Sequence, residues 1–187
     1  MDNLTIVTGL FRSGSSMMMQ ILEAGGYKPI VHYFNRDEHN ENGYYEIEED
    51  QAGRVHGKIC AGEYPSNSCI KVLTPFLEKN KIIDLADNVI FISRNVSEVR
   101  ESFNLKFGYR PYKRKLLYMQ RDTKIFLQKQ MVKTYFVDYN EIMSDPKEGL
   151  INLKKEIFQN KEENFLEACS IPEKRLYKTH AILSKTK

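Results

Sequence analysis

The residues best suited to chemistry lie in a short segment near the start of the chain, GLFRSGSS at positions 9 to 16. Gly9 and Gly14 permit a tight turn in which backbone N–H groups approach an anion closely. The planar guanidinium of Arg12 suits phosphate or sulfonate oxygens. Three hydroxyl groups add hydrogen-bond donors: Ser13, Ser15 and Ser16. The segment therefore predicts an anion-binding loop.

The cation of this loop stands in an unusual place. A loop that binds nucleoside triphosphates reads G-x-x-x-x-G-K-[ST], and its lysine meets the β- and γ-phosphates. The two glycines of 9–16 have that spacing, but Ser15 occupies the position of the lysine. Arg12, the cation, lies inside the loop instead. We therefore expect an anion with less charge to neutralise than a triphosphate.

Alternating strands and helices must position this loop. β-branched and apolar runs predict strands at 4–8, 69–73, 89–93 and 134–137. Periodicity and end signals predict helices at 15–24, 96–107 and 111–131, with shorter helical pieces around 46–55, 75–80, 140–143 and 147–157. Asn95 and Glu98 resemble a capping box. The order predicts one α/β domain over 1–187, in three layers, with a central, mostly parallel sheet flanked by helices.

Composition limits the class of protein. The 187 residues include 28 Lys or Arg and 25 Asp or Glu, and a net charge of +3 is too balanced to predict nucleic-acid binding. No apolar run reaches the roughly 20 residues of a transmembrane helix, and the first residues do not resemble a secretory signal. The three cysteines form no zinc pattern. We expect a cytoplasmic protein with free thiols and no metal.

The longer segment GLFRSGSSMMMQILEAGG resembles the 5′-phosphosulfate loop of the sulfotransferase superfamily, in the arginine-bearing form of bacterial and tyrosylprotein members. That form reads roughly G-x-P-R-S-G-[ST]-[ST], and Phe11 replaces its proline here. The resemblance implies a P-loop-like fold and 3′-phosphoadenosine 5′-phosphosulfate (PAPS) as the sulfuryl donor, without a metal. It also implies that the loop binds the donor through Gly9, Arg12, Ser13, Gly14, Ser15 and Ser16.

A second segment resembles the same family. In its members an arginine ends a central strand, and a serine eight residues later joins it in binding the 3′-phosphate of the donor. VIFISRNVSEVRESF has Arg94 and Ser102 at that spacing. Because the 3′-phosphate distinguishes PAPS from ATP, the resemblance implies that these two residues determine which donor is bound. The loop at 9–16 and Arg94 are then expected to bind opposite ends of the same PAPS molecule.

Three further segments extend the resemblance to about residue 158. YNEIMSDP is similar to the Y-E-D-[LM]-x-x-D-P segment, whose tyrosine lies near the adenine, which implies a donor-binding role for Tyr139. NENGYYE is close to the N-P-x-G-Y-[YF]-E segment of short bacterial relatives, and CIKVLTP fits their K-V-x-[ST]-P. The arginine-glycine segment that cytosolic members carry near the C-terminus is not evident.

The resemblance implies transfer of a sulfuryl group to a hydroxyl or amine, with release of adenosine 3′,5′-bisphosphate. Arg12 and Lys71 would be the catalytic cations, stabilising charge on the bridging oxygen in a loose transition state. Leu73 replaces the histidine base of cytosolic members, so a carboxylate is expected to take the acceptor's proton. Glu46 is the first choice for this base. The next candidates for the base are His32, Asp37 and Glu63.

The sequence leaves the acceptor open. Residues 33–68 form an irregular insertion that we expect to line the acceptor pocket, with five aromatic side chains as its walls: Tyr33, Phe34, Tyr44, Tyr45 and Tyr64. Such walls suit a small molecule, a glycan or a peptide equally. The basic helix at 111–131 and the basic tail at 172–187 receive no role, and the oligomeric state is not predicted.

Two other functions fit the same residues. A small-molecule kinase with a degenerate loop would bind ATP, but it leaves Arg94 and Ser102 without a role. A non-catalytic nucleotide-binding protein would have kept the donor site and lost its base, which Leu73 favours.

Overall fold

One parallel sheet organises the chain. The computed structural model describes residues 3–31, 43, 45, 57–77, 82–159 and 161–172. The strands are β1 (Leu4–Gly9), β2 (Lys28–Pro29), β3 (Ser68–Lys71), β4 (Asn88–Ser93) and β5 (Lys133–Asp138). They lie in the order β2-β3-β1-β4-β5, and every neighbouring pair is parallel. The fold is therefore the predicted α/β type, with β1 at the centre of the sheet.

Helices connect the strands and cover the sheet. They are α1 (Ser15–Ala24), α2 (Thr74–Leu77), α3 (Val96–Phe107), α4 (Lys113–Gln128), α5 (Tyr139–Ser144), α6 (Pro146–Gly149) and α7 (Ile151–Lys154). A 3₁₀ helix spans Ile82–Leu85, and residues 57–60 and 162–172 are also helical. None of the helices in the described ranges is long and apolar enough to span a membrane.

The two faces of the sheet pack against different helices. Because successive side chains of a strand alternate between its faces, Val7 of β1 and Ile90 of β4 join one cluster, which includes α1 and the helix at 162–172. Ile6 and Phe91 point the other way, into a cluster that includes Leu127 of α4. Burial on both faces explains why β1 and β4 read as continuous apolar runs.

The strand order determines where a ligand can bind. From β1 the chain passes through α1 to β2 on one side, and after β3 it crosses to β4 on the other side. The strand order thus reverses around the carboxyl end of β1, which is where open α/β sheets form their binding crevice. The loop at 10–14, Lys71, Arg94 and Tyr139 all follow or end strands at this edge.

Most predicted elements agree with the observed ones. The helices at 15–24 and 96–107 match residue for residue, and the four predicted strands are each present within two residues at either end. The predicted helix at 111–131 is shorter, Lys113–Gln128, and 147–157 contains two short helices. The prediction missed β2, the 3₁₀ helix and the helix at 162–172. The helix predicted around 46–55 lies outside the described residues.

None of the three cysteines forms a disulfide. Cys69 and Cys169 are buried, whereas Cys60 is exposed. Burial in β3 raises the pKa of the Cys69 thiol well above its ordinary value, so this thiol stays protonated at neutral pH. Within the described ranges, no three His, Cys, Asp or Glu side chains gather as a metal site would require.

Candidate anion-binding site

The glycine-rich loop joins β1 to α1 at the carboxyl edge of the sheet. Gly14 has a φ of +103° and is the N-cap of α1; a Cβ on it would lie 2.4 Å from Cδ2 of Tyr139. A Cβ on Gly9 would lie 2.6 Å from the carbonyl oxygen of Ile92. Only glycine fits these positions, because larger residues would push the loop away from β4 and from the tyrosine ring.

Arg12 has an unusual backbone conformation in this loop. Its φ is +67°, in the left-handed region that side chains other than glycine rarely adopt. Its carbonyl oxygen accepts a hydrogen bond of 3.3 Å from Nη1 of Arg94. Next to it, the first N–H groups of α1 have no intrahelical acceptor and carry partial positive charge. The loop therefore presents backbone donors and a nearby guanidinium.

The three serines of the loop differ in their surroundings. Ser13 is 1% exposed, and within the described part of the chain its buried hydroxyl has no hydrogen-bond partner. Ser15 is buried as the first residue of α1. Ser16 is half-buried, and its Oγ accepts a hydrogen bond of 3.3 Å from Nζ of Lys71. Of the three predicted hydroxyl donors, Ser16 is the one that faces a second cation.

Lys71 reaches the loop from the neighbouring strand. It is the last residue of β3, which pairs with β1, and its side chain is buried. The contact with Ser16 places the Nζ of Lys71 at the start of α1. The ammonium of Lys71 therefore adds positive charge at the N-terminus of α1.

Arg94 follows β4 and is held from several sides. Its Nε donates to Oε2 of Glu98 at 3.0 Å, and its Cζ lies 4.2 Å from the centre of the Tyr139 ring. The other oxygen of Glu98 accepts a 2.8 Å bond from Nδ2 of Asn140. The Arg94 side chain is 21% exposed. The guanidinium is thus oriented before any ligand binds, with part of its surface open to solvent.

The hydroxyl of Ser102 bonds to Arg12 of the loop. Nε of Arg12 donates to Oγ of Ser102 at 2.9 Å, whereas the described bonds of Arg94 go to Glu98 and to the backbone of Arg12. The sequence predicted two separate positive pockets. In the structure the two segments are in direct contact, because the Arg12 side chain reaches Ser102 of α3.

Tyr139 lies between the loop and Arg94. It begins α5 directly after β5, and Asp138 caps this helix by accepting a 2.8 Å bond from the N–H of Asn140. One side of the ring packs on Gly14, and Arg94 lies over the ring. A groove of about 650 Å³ opens beside it, with Arg94, Lys113 and Asn140 in its walls. The groove continues the site along the carboxyl ends of β4 and β5.

Sequence reasoning missed the residues that orient Arg94. Glu98 was assigned to a capping box with Asn95, but its carboxylate turns to Arg94. Asn95 does cap α3, accepting a 2.9 Å bond from the N–H of Ser97, while its own N–H donates to Asn140. The N-x-x-E spacing signalled a helix start, and it also places a carboxylate four residues after the arginine.

The structure describes part of the expected acceptor region. Outside the described residues lie Glu46, His32, Asp37, Tyr33, Phe34 and Tyr44. Tyr45 is 3% exposed, belongs to the core and donates its hydroxyl hydrogen to Glu23, so its prediction as a pocket wall is wrong. Tyr64 packs against the second core cluster, and Glu63 is exposed.

The basic face of α4 forms a separate groove. About 610 Å³ of space lies between α2 and α4, lined by Tyr112, Arg114 and Tyr118 among others. Arg114 donates to the Tyr118 hydroxyl at 2.9 Å. Among its described lining residues there is none of the predicted site residues.

Comparisons with known proteins add little to this geometry. No protein-family model matches the chain, and no curated protein matches it. Among solved structures, the chain is similar to a gluconokinase from Sinorhizobium meliloti 1021, with 17% identity over 95% of this chain and 98% of that one, at a TM-score of 0.43. A similarity this low says nothing about activity. The assignment of the α/β fold depends on the observed sheet and its helices.

Proposed function

We propose that the protein is a sulfotransferase that moves a sulfuryl group from PAPS to a hydroxyl or amine acceptor and releases adenosine 3′,5′-bisphosphate. The proposal combines the resemblance of its segments to the sulfotransferase superfamily with the arrangement of cations at one edge of the sheet.

The contact between the two donor segments carries this proposal. Arg94 donates to the carbonyl of Arg12 at 3.3 Å, and Arg12 donates to Ser102 at 2.9 Å, although about 80 to 90 residues separate the partners. Two guanidinium groups therefore lie beside a loop that already offers backbone N–H groups to an anion. A ligand with phosphate at two ends matches such a site better than a single phosphate does.

Each side chain then has a role in the reaction. The acceptor oxygen or nitrogen attacks sulfur while the bond between sulfur and the bridging oxygen breaks, and the electron pair leaves with the 5′-phosphate. Arg12, Lys71 and the loop N–H groups stabilise the charge that develops on that oxygen. Glu46 takes the acceptor's proton. Arg94 binds the 3′-phosphate, and Tyr139 lies near the adenine.

A small-molecule kinase is the second candidate, and one contact favours it. Nζ of Lys71 lies 3.3 Å from Oγ of Ser16, so β3 supplies a lysine to the loop although the loop has none of its own. A lysine from that direction could meet the phosphates of ATP. In this case the interaction of Arg94 with Arg12 would serve the fold alone.

Calorimetry separates these functions. We expect wild-type protein to bind adenosine 3′,5′-bisphosphate more tightly than AMP or ATP with Mg²⁺. Arg94→Ala should weaken binding of the bisphosphate by about 1.5–3 kcal/mol, the cost of a lost charge-assisted contact, and should remove the preference over AMP. Arg121→Ala is the control, since Arg121 is exposed on α4 beside Asp122.

The outcomes are distinct. Equal affinity for AMP and the bisphosphate in wild type would remove the case for a 3′-phosphate site. Tighter binding of ATP with Mg²⁺, together with phosphate transfer, would establish the kinase instead. Bisphosphate binding without transfer from PAPS to any of a broad panel of acceptors would favour the non-catalytic nucleotide-binding protein.

A further inference from the structure

Apolar side chains are exposed at the turn that joins α3 to α4. The segment LKFGYRPYKRK, residues 105–115, is called the tip below. Four large apolar or aromatic side chains of the tip are exposed: Leu105, Phe107, Tyr109 and Tyr112. One exposed leucine is ordinary on a protein surface, but four such side chains within eight residues form the kind of patch that marks an interaction surface.

The tip is also strongly basic. It contains five cations and no Asp or Glu: Lys106, Arg110, Lys113, Arg114 and Lys115. Because the net charge of the whole chain is +3, the remaining 176 residues together carry a charge of −2. The tip therefore combines an apolar patch with far more positive charge than the rest of the chain.

The cations at the start of α4 are not compensated by neighbouring carboxylates. Arg110 pairs with Glu101 at 2.8 Å, but Nε of Arg114 donates to a neutral partner, the hydroxyl of Tyr118. Within the described ranges, residues 113–115 make no ion pair with a carboxylate. They occupy the first turn of α4, which contains no acidic residue and has no side-chain cap. Cations are unfavourable at a helix N-terminus, so their presence there calls for an external anion.

The tip is ordered before any partner binds. The rings of Phe107 and Tyr109 lie 6.2 Å apart, and both pack against the buried ring of Phe103, at 5.5 and 5.9 Å. Nε of Arg100 donates to the carbonyl oxygen of Pro111 at 2.9 Å, which ties the turn to α3. A surface that is already ordered loses little entropy when it binds.

The combination of side chains favours a lipid surface over other anions. At a membrane surface, aromatic side chains lie at the level of the headgroups, and Lys and Arg contact the anionic lipids. A nucleic acid or an acidic glycan would bind the cations equally well. It would offer no apolar contact to Leu105, whose side chain is 76% exposed.

We propose that the tip binds the surface of a membrane that contains anionic phospholipids, with its apolar side chains among the headgroups and its cations against the lipid phosphates. The inference does not depend on the proposed function. Lys113 also lines the groove beside Arg94, so the tip lies at the same edge of the molecule as the candidate site. Membrane binding through the tip would bring this site close to the lipid surface.

Sedimentation with vesicles tests the inference. Wild type should bind phosphatidylcholine vesicles that contain phosphatidylserine about tenfold or more tightly than vesicles of phosphatidylcholine alone, and added salt should weaken this binding. Arg114→Gln with Lys115→Gln should weaken it about 10- to 30-fold, since each cation contributes about fivefold. Leu105→Ser with Tyr112→Ser, at the two most exposed positions of the apolar patch, should weaken it about tenfold or more.

Matched control variants lie in helices that pack against the other face of the sheet. Lys147→Gln with Lys161→Gln makes the same change in charge at exposed positions. Ile151→Ser with Leu166→Ser removes two exposed apolar side chains. Both controls should bind vesicles as wild type does.

A fluorescence measurement covers the case in which a serine variant is unstable. The chain has no tryptophan, so Tyr112→Trp introduces a single fluorophore and keeps an aromatic ring in the tip. Its emission should move to shorter wavelength with phosphatidylserine vesicles, and brominated lipid should quench it. Leu166→Trp should show neither effect.

Three results would overturn the inference. The first is absence of binding to both kinds of vesicle, or equal weakening in the control variants. The second is loss of binding in the cation variant alone, with unchanged Tyr112→Trp emission, which would make the tip a site for a soluble polyanion. The third is self-association that Leu105→Ser with Tyr112→Ser abolishes, without vesicle binding, which would make a second copy the partner. None of these results bears on the proposed function, which is tested without lipid.

Discussion

Three neighbouring residues orient the side chain of Arg94. Glu98 fixes its Nε, Asn140 fixes Glu98, and the ring of Tyr139 supports the guanidinium plane at 4.2 Å. Side-chain order that exists before binding does not have to be created during binding, so it preserves affinity. The partly exposed ion pair itself contributes little to stability. The ion pair matters because it fixes the direction of the Arg94 guanidinium.

Gly14 allows a direct test at the same scale. Its φ of +103° disfavours any other residue, and a Cβ would overlap the Tyr139 ring at 2.4 Å. We expect Gly14→Ala to lower the free energy of unfolding by about 2–4 kcal/mol, combining backbone strain with steric overlap. Urea denaturation measures this quantity.

Gly108→Ala is the matched control for this substitution. Gly108 also has a positive φ, +71°, but a Cβ there meets nothing within 4 Å. Its cost should be the strain alone, about 1 kcal/mol. Equal losses in the two variants would mean that the Tyr139 ring does not restrict the loop.

At the scale of elements, parallel pairing brings the site together. Gly9 of β1 is level with Ile92 of β4, and Ser93 is level with Asp138 of β5. Residues that follow these strands therefore emerge side by side at one edge. Oγ of Ser93 also donates to Oδ2 of Asp138 at 3.0 Å, which ties the ends of β4 and β5.

The elements that the sequence predicted are those with local signals. The helices at 15–24 and 96–107 carry apolar periodicity and end at glycine, so tertiary contacts were not needed to find them. In contrast, β2 has two residues, Lys28–Pro29, and forms only because β3 offers it an edge. The helix at 162–172 did carry a signal in its buried positions, Phe165, Ala168, Cys169 and Pro172, whose spacing is helical.

This last helix provides a test of how the core is closed. Phe165 is 2% exposed and packs against Phe158 with ring centres 5.8 Å apart, whereas its neighbour Leu166 is 43% exposed. We expect Phe165→Ala to lower the free energy of unfolding by about 3–5 kcal/mol, since it removes a buried ring. Leu166→Ala should change it by about 0.5 kcal/mol or less. If urea denaturation shows a loss for Phe165→Ala as small as that for Leu166→Ala, this helix lies outside the cooperative core.

At the scale of the whole molecule, each of the two segments that resemble donor-binding segments was visible in the sequence, but the contact between them was not. The resemblance implied that Arg94 and Ser102 act together, as strand end and helix face. The observed pairing of Ser102 with Arg12 depends on the left-handed backbone at Arg12, which directs its side chain from the loop toward α3. No local pattern encodes that direction, because it results from packing between β1, β4 and α3.

The central claim is that one nucleotide is held at both ends by cations at the carboxyl edge of the sheet. A crystal structure of the complex with adenosine 3′,5′-bisphosphate tests it most directly. The account predicts the 3′-phosphate within hydrogen-bond distance of the Arg94 guanidinium and the 5′-phosphate at the N–H groups of the loop. A 3′-phosphate in solvent, with the Arg94 guanidinium directed away from the ribose, would contradict it.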